Sequence, residues 1–195
     1  MLGRGYTNLG GWDLTAQGGK VYGGYQVGGG FAGTLGPVEL RGEAAEFFSV
    51  HDPREPTPVG DHLLGVLGVG RLFDSSLNLQ AEYLFNGAGS DDLDVAVRRV
   101  AAGRALQMSR HVLAAMVAYD LLPILNGSLA ALVSLSDGSC AFLPGLRYSV
   151  SDESDLLAGV LLGVGRRPRP GPPVTLRSEF GSYPDFYYLL YRVYF

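Results

Sequence analysis

The 195-residue chain holds a single lysine, a single cysteine and three histidines, and only 17% of its residues are charged. Each scarcity removes a class of protein. Fourteen of its fifteen bases are arginine and they face nineteen acids, for a net charge of -4, so there is no basic field to hold a phosphate backbone. Nucleic-acid binding is therefore not expected. Cys140 alone cannot form an internal disulfide, and His51, His62 and His111 offer no Cys/His spacing that resembles a zinc site. No cofactor or metal is expected. No apolar run reaches the roughly 18–20 residues of a spanning helix, because glycines interrupt the longest candidate, residues 155–165. The stretch after Met1 has no charged region leading into an apolar one, so a signal peptide is not read in this sequence. The expectation is either a cytoplasmic protein or one whose beginning lies elsewhere.

What the chain has in quantity is glycine, 29 residues, and aromatics, among an apolar fraction of 47%. That composition excludes disorder, which needs low hydrophobicity and high net charge. The apolar residues recur with period two. In 77–86, Leu77, Leu79, Ala81, Tyr83 and Phe85 share one face, and Asn78, Gln80, Glu82 and Asn86 share the other. In 21–32, Val21, Tyr25, Val27 and Phe31 oppose Tyr22, Gln26 and three glycines; in 128–135, Leu129, Ala131, Val133 and Leu135 oppose Ser128 and Ser134. With further strands at 38–48, 62–73, 109–120, 143–150, 155–165 and 185–195, nine strands are expected, separated by turns such as Gly36-Pro37, Asn126-Gly127 and Asp137-Gly138. One segment differs: Ser90, an acidic first turn, late Arg98 and Arg99, and Gly103 mark a short helix inside a connection.

The expected fold is all-β, a transmembrane antiparallel meander β-barrel, and three features separate it from a soluble sandwich. Segments of about nine to twelve residues suit tilted membrane strands, whereas soluble strands cluster near five or six. Polar or small residues oppose a Leu, Val, Tyr and Phe face, the arrangement of a lipid-facing barrel. Connections also sort by length: 33–37, 74–76, 121–127 and 151–154 are short on one side, whereas 49–61, 87–108 and 166–184 are long on the other, where only 136–142 is short. Short periplasmic turns and long outer loops are the bacterial outer-membrane rule.

At the C-terminus Tyr187, Leu189, Tyr191, Val193 and Phe195 form an alternating series ending in phenylalanine, which resembles the signal that the barrel-assembly machinery reads in Gram-negative outer-membrane proteins. Residues 109–111, 147–152 and 178–184 also resemble parts of porin-like barrels. The resemblance covers the chain from about Lys20 and implies an outer-membrane location, contact with outer-membrane lipid, and a porin-like passive channel for small polar solutes or ions. It also admits a homo-oligomer. Because bacterial single-chain barrels have even strand numbers, nine strands are expected to be the C-terminal part of a larger barrel, with 1–18 as outer loop or partial strand and 19–195 as barrel. The alternative is that Gly5–Thr15 supplies a tenth strand of a small closed barrel.

On this reading Glu39, Arg41, Glu43, Gln80, Glu82, Arg147 and Arg192 line the lumen, with Ser149 and Arg71 beside them, because charges facing mid-depth hydrocarbon cost roughly 2–4 kcal/mol. They act either as a selectivity lining or as ion pairs that fill the interior. Tyr187, Tyr188, Tyr191, Tyr194 and Phe195 suit an interfacial girdle. The helix near 93–102 either constricts the mouth or shields the rim. Catalysis is not expected: the histidines, with Asp61 or Asp120 to orient one, lack a nucleophile motif such as Gly-x-Ser-x-Gly. The other readings are a non-conducting structural or adhesion barrel, and a soluble β-sandwich binding protein.

Overall fold

Alternating sequences of this length need neighbours to satisfy their backbone hydrogen bonds, and in a computed structural model each strand finds them in the next one along the chain. The structure describes residues 1–21, 23–48 and 59–194; His51 and Phe195 lie outside the described residues. Eleven strands follow one another: β1 (Leu2–Leu9), β2 (Trp12–Val21), β3 (Gly24–Leu35), β4 (Val38–Phe48), β5 (His62–Leu72), β6 (Asn78–Asn86), β7 (His111–Leu122), β8 (Leu125–Ser134), β9 (Cys140–Ser151), β10 (Ser154–Val164) and β11 (Phe186–Val193). They form one sheet in sequence order, every pair antiparallel. The fold is an all-β antiparallel meander with one short helix, α1 (Leu93–Ala101). Among the described residues no helix is long and apolar enough to cross a membrane.

The count is eleven because residues 2–21 make two strands where a loop or one strand was expected. Gly10 and Gly11, at φ 59° and 85°, form the tight turn between them, in backbone conformations that suit glycine. On β1 one face carries Gly3, Gly5, Thr7 and Leu9 and the other Leu2, Arg4, Tyr6 and Asn8, so apolar and polar residues occur on both and the alternation is muted. The strand expected at 21–32 is likewise divided. Val21 ends β2 and lies on the polar face, opposite Gly24, whereas Tyr25, Val27 and Phe31 lie on the other face. Asn126-Gly127 is not a turn: both residues pair inside β8, and the chain reverses at Pro123-Ile124. The helix is capped by Asp92, whose side chain accepts from the N–H groups of Asp94 and Val95, and not by Ser90.

The three long connections all fall at one end of the sheet. At one end of the sheet the connections are 10–11, 36–37, 73–77, 123–124 and 152–153; at the other they are 22–23, 49–61, 87–110, 135–139 and 165–185. These are called below the short-turn end and the long-loop end. The glycine run permits a close approach of backbone. A Cβ on Gly28 would lie 2.7 Å from the Ala44 carbonyl, and one on Gly30 2.9 Å from that of Gly42, so β3 and β4 approach more closely than side chains permit.

Register fixes two faces, since directly paired residues point the same way. The apolar face carries Leu14, Tyr25, Val27, Phe31, Leu63, Leu67, Val69, Leu79, Leu113, Leu129, Phe142 and Leu146, all exposed. By contrast, the buried hydrophobics among the described residues are Ala45, Ala88, Ala96, Met108, Val112, Ala141 and Phe180. Large apolar side chains thus point away from the protein, the inverse of a water-soluble core.

Candidate functional site: the charged face of the sheet

The charges expected to share a face do share it. On β4, Glu39, Arg41 and Glu43 alternate with Leu40 and Gly42, and they pair across β5 with Gly70, Gly68 and Val66. Gly70 and Gly68 in turn pair with Gln80 and Glu82 of β6. Two glycines therefore separate the polar side chains of β4 from those of β6. That gap lets Arg41 span β5: its Nε and Nη2 donate to Glu82 Oε1 at 2.9 and 2.7 Å, and Nη2 donates to Gln80 Oε1 at 3.0 Å. A Cβ on Gly68 would stand 2.9 Å from the Arg41 Nε, so any side chain there would displace the bridge. Glu39 and Glu43 are exposed on the same face. A depression of about 220 Å³ bordered by Arg4, Asp13, Thr15, Arg41, Glu43 and Glu82 extends this polar surface towards β1.

A second polar group lies at the short-turn end of β9–β11. Arg192 donates from Nη2 to Asp155 Oδ2 at 3.0 Å, Tyr194 donates its hydroxyl to the same oxygen at 3.0 Å, and Ser149 donates to Oδ1 at 3.2 Å. Arg147 shares this face, opposite Asn126 and Leu157. Arg192 therefore does not pair with a glutamate: its partner is Asp155, directly opposite in the register. Asp155 and Tyr194 were not foreseen as members of the site.

Arg71 departs from expectation. It pairs with Leu79 on the apolar face, near the short-turn end of β5, with its guanidinium 4.3 Å from the centre of the Phe73 ring. A long arginine near a strand end can carry its head to the polar boundary while its stem stays apolar. In the C-terminal series Tyr187, Leu189, Tyr191 and Val193 lie on the apolar face, opposite Val160, Ala158, Leu156 and Ser154. Tyr188 is on the polar face, over Gly159, and Tyr194 is held by Asp155, so neither shares the apolar face with the rest of the series.

The polar face is not polar throughout. Across β7–β10 it is built of Val112, Ala114, Met116, Ala130, Leu132, Ala141, Leu143 and Leu157. The long connection before β11 covers part of this surface. Phe180 packs on Val112 and Ala141 with Leu132, Leu143 and Tyr183 around it. Glu179, 1% exposed, anchors the segment: its two oxygens accept from the backbone N–H of Met108 at 3.2 Å and of Ser109 at 2.9 Å. Its own N–H donates to Asp137 Oδ2 at 2.6 Å, and Phe180 N–H donates to Ser139 Oγ at 3.0 Å. Three connections at the long-loop end are thus tied together, and the element resting on this face of the sheet is 178–183. Burial is the largest single influence on the Asp137 carboxyl and works to raise its pKa. The donors from Ser139, Glu179 and Ser134 together outweigh it and hold the group below its ordinary value. Burial raises the Tyr183 hydroxyl, with Glu179 adding to it.

Of the histidines, His62 and His111 begin β5 and β7 at the long-loop end. His111 lies on the apolar face with its Nδ1 2.6 Å from the Tyr83 hydroxyl. Asp120 is nine residues further along β7, roughly 30 Å away at strand rise, and is held by Asn126. It does not orient His111. Among the described residues no three His, Cys, Asp or Glu side chains gather as a metal site. No protein-family model matches the chain, and no curated protein matches it.

Proposed function

We propose that this sheet is the wall of an outer-membrane β-barrel, with the apolar face to lipid and the charged face to a water-filled lumen that passes small polar solutes or ions. The observation that carries the reading is the inversion of burial: exposed Leu, Val, Phe and Tyr on one face, and Arg41–Glu82, Glu39 and Glu43 on the other. A soluble protein exposing that much contiguous apolar surface would aggregate. Sorted loop lengths and strands of 8–12 residues support the same reading. The C-terminal alternation, Tyr187 to Val193, supports delivery by the barrel-assembly machinery.

The lumen sides with cations. On β4–β6 three carboxylates, Glu39, Glu43 and Glu82, face one guanidinium, Arg41. Each unpaired carboxylate within about 4–8 Å of a passing ion contributes roughly 0.5–1 kcal/mol in water, a two- to fivefold preference. Native protein reconstituted in planar bilayers is expected to conduct with potassium favoured over chloride, and Glu39→Gln with Glu43→Gln to bring the ratio close to unity. Insertion without conductance would overturn the channel reading and leave the second one. That second reading, a barrel with a filled interior serving a structural or adhesive role, draws on the seating of Phe180 against the inner wall.

A further inference from the structure

At the long-loop end of the charged face lies a cavity of about 450 Å³, walled by β2–β6 and by residues 103–106 that follow α1. It is separate from the Arg41–Glu82 bridge. Its lining is largely apolar, with Val21, Phe47, Leu64 and Leu106 contributing, and its volume lies in the range of small-molecule clefts. Phe47 and His62, paired across β4 and β5, stack at 5.1 Å and 7° to give it one flat wall.

Two polar groups interrupt the lining. Gln26 is 8% exposed and lines the cavity, and its side-chain amide makes no hydrogen bond to a described residue. Its polar atoms stay open to the cavity, where a bound hydroxyl can meet both the amide N–H and the carbonyl. His62 presents its Nδ1 to the Gly60 carbonyl at 3.0 Å. That carbonyl can only accept, so in the neutral ring Nδ1 carries the hydrogen and Nε2 is a free acceptor. Arg104 borders the cavity but is already engaged, so no unmet positive charge selects an anion.

We infer that this cavity binds a neutral, flat, apolar molecule bearing one hydroxyl group, of the phenol or naphthol type. The ring lies along the Phe47–His62 wall, and the hydroxyl accepts from the Gln26 amide N–H while donating to the Gln26 carbonyl or His62 Nε2. The inference needs only the cavity and not a conducting lumen, so its test is separate from the bilayer measurement.

The test is equilibrium dialysis of the native protein in detergent micelles against micelles alone, with 1-naphthol and naphthalene as probes. The expected result is a saturable excess of one 1-naphthol per chain. Gln26→Leu is expected to weaken 1-naphthol about tenfold, the worth of a hydrogen bond or two, while naphthalene stays within about twofold. Leu64→Trp, which fills the space, removes both. Naphthalene retention shows that Gln26→Leu has folded; if that variant does not assemble, Gln26→Met, which keeps the length of the side chain and lacks the amide, reads the same contact. No protein-dependent excess, or equal loss of both probes in the amide variant, would overturn the assignment.

Discussion

Leu129→Arg destabilises the assembled protein by about 2–4 kcal/mol, whereas Ser128→Arg, one residue away on the same strand, costs less than about 1 kcal/mol. Leu129 is mid-strand on the apolar face, paired with Val117 and Pro144; Ser128 is on the charged face, paired with Ala118 and Gly145. On the proposed barrel reading a guanidinium at Leu129 sits at bilayer mid-depth and carries the cost of a lipid-facing arginine. On the same reading a guanidinium at Ser128 faces water and keeps its hydration, and the small residues opposite Ser128 leave it room. Urea unfolding in lipid vesicles, followed through the fluorescence of the single tryptophan, Trp12, gives both values. Equal costs at the two positions would mean that the faces do not differ in solvent.

The second large effect is expected at Glu179. Replacing it with alanine leaves the backbone N–H groups of Met108 and Ser109 buried without an acceptor, at about 1–3 kcal/mol each. A total of about 2–6 kcal/mol falls on the packing of 178–183 against the sheet, with no cost to strand pairing. Amide exchange should therefore quicken at least about thirtyfold at 107–110 and 178–183, 2 kcal/mol being worth roughly that factor, while β2–β5 keep their protection. Glu179→Gln retains one acceptor oxygen and should fall between. The wild-type segment should also loosen in acid. The Asp137 carboxyl is held below its usual 3.8, so its contribution is complete above that value and is lost as pH falls through the lower folded-state value. Tyr183 is shifted upward, so the folded state loses stability as pH rises past about 10. Unchanged exchange in Glu179→Ala would show that the segment is held by Phe180 alone.

Legibility of this fold in its sequence depended on contrast between the two faces of each strand. In 77–86, where Leu, Tyr and Phe oppose Asn, Gln and Glu, the strand and its faces agree with the register to within a residue. The alternations placing Glu39, Arg41, Glu43, Gln80, Glu82, Arg147 and Arg192 on one face agree with the pairing for the same reason. Where contrast vanished, the reading failed. Residues 2–21 have small and polar groups on both faces, so their two strands read as a loop or a single strand. β5 is apolar on both faces, so Arg71 was assigned the wrong one. Asp155 was inside an expected strand, but its role depends on Arg192 and Tyr194, almost forty residues away. Glu179 and Asp137 meet across 42 residues, and Glu179 and Ser109 across 70. Periodicity is a local signal and carries nothing about contacts at that separation.

The most direct test of the account is the phase of solvent contact along β6. In a Cys140→Ala background, a nitroxide label is placed in turn at each position from Asn78 to Phe85, and its collisions with oxygen and with a water-soluble nickel chelate are measured in lipid vesicles. The account predicts a period of two: oxygen collisions peak at Leu79, Ala81, Tyr83 and Phe85, and chelate collisions at Asn78, Gln80, Glu82 and Leu84. Chelate peaks at Leu79, Ala81, Tyr83 and Phe85, or high chelate contact at all eight, would contradict a sheet whose apolar face meets lipid.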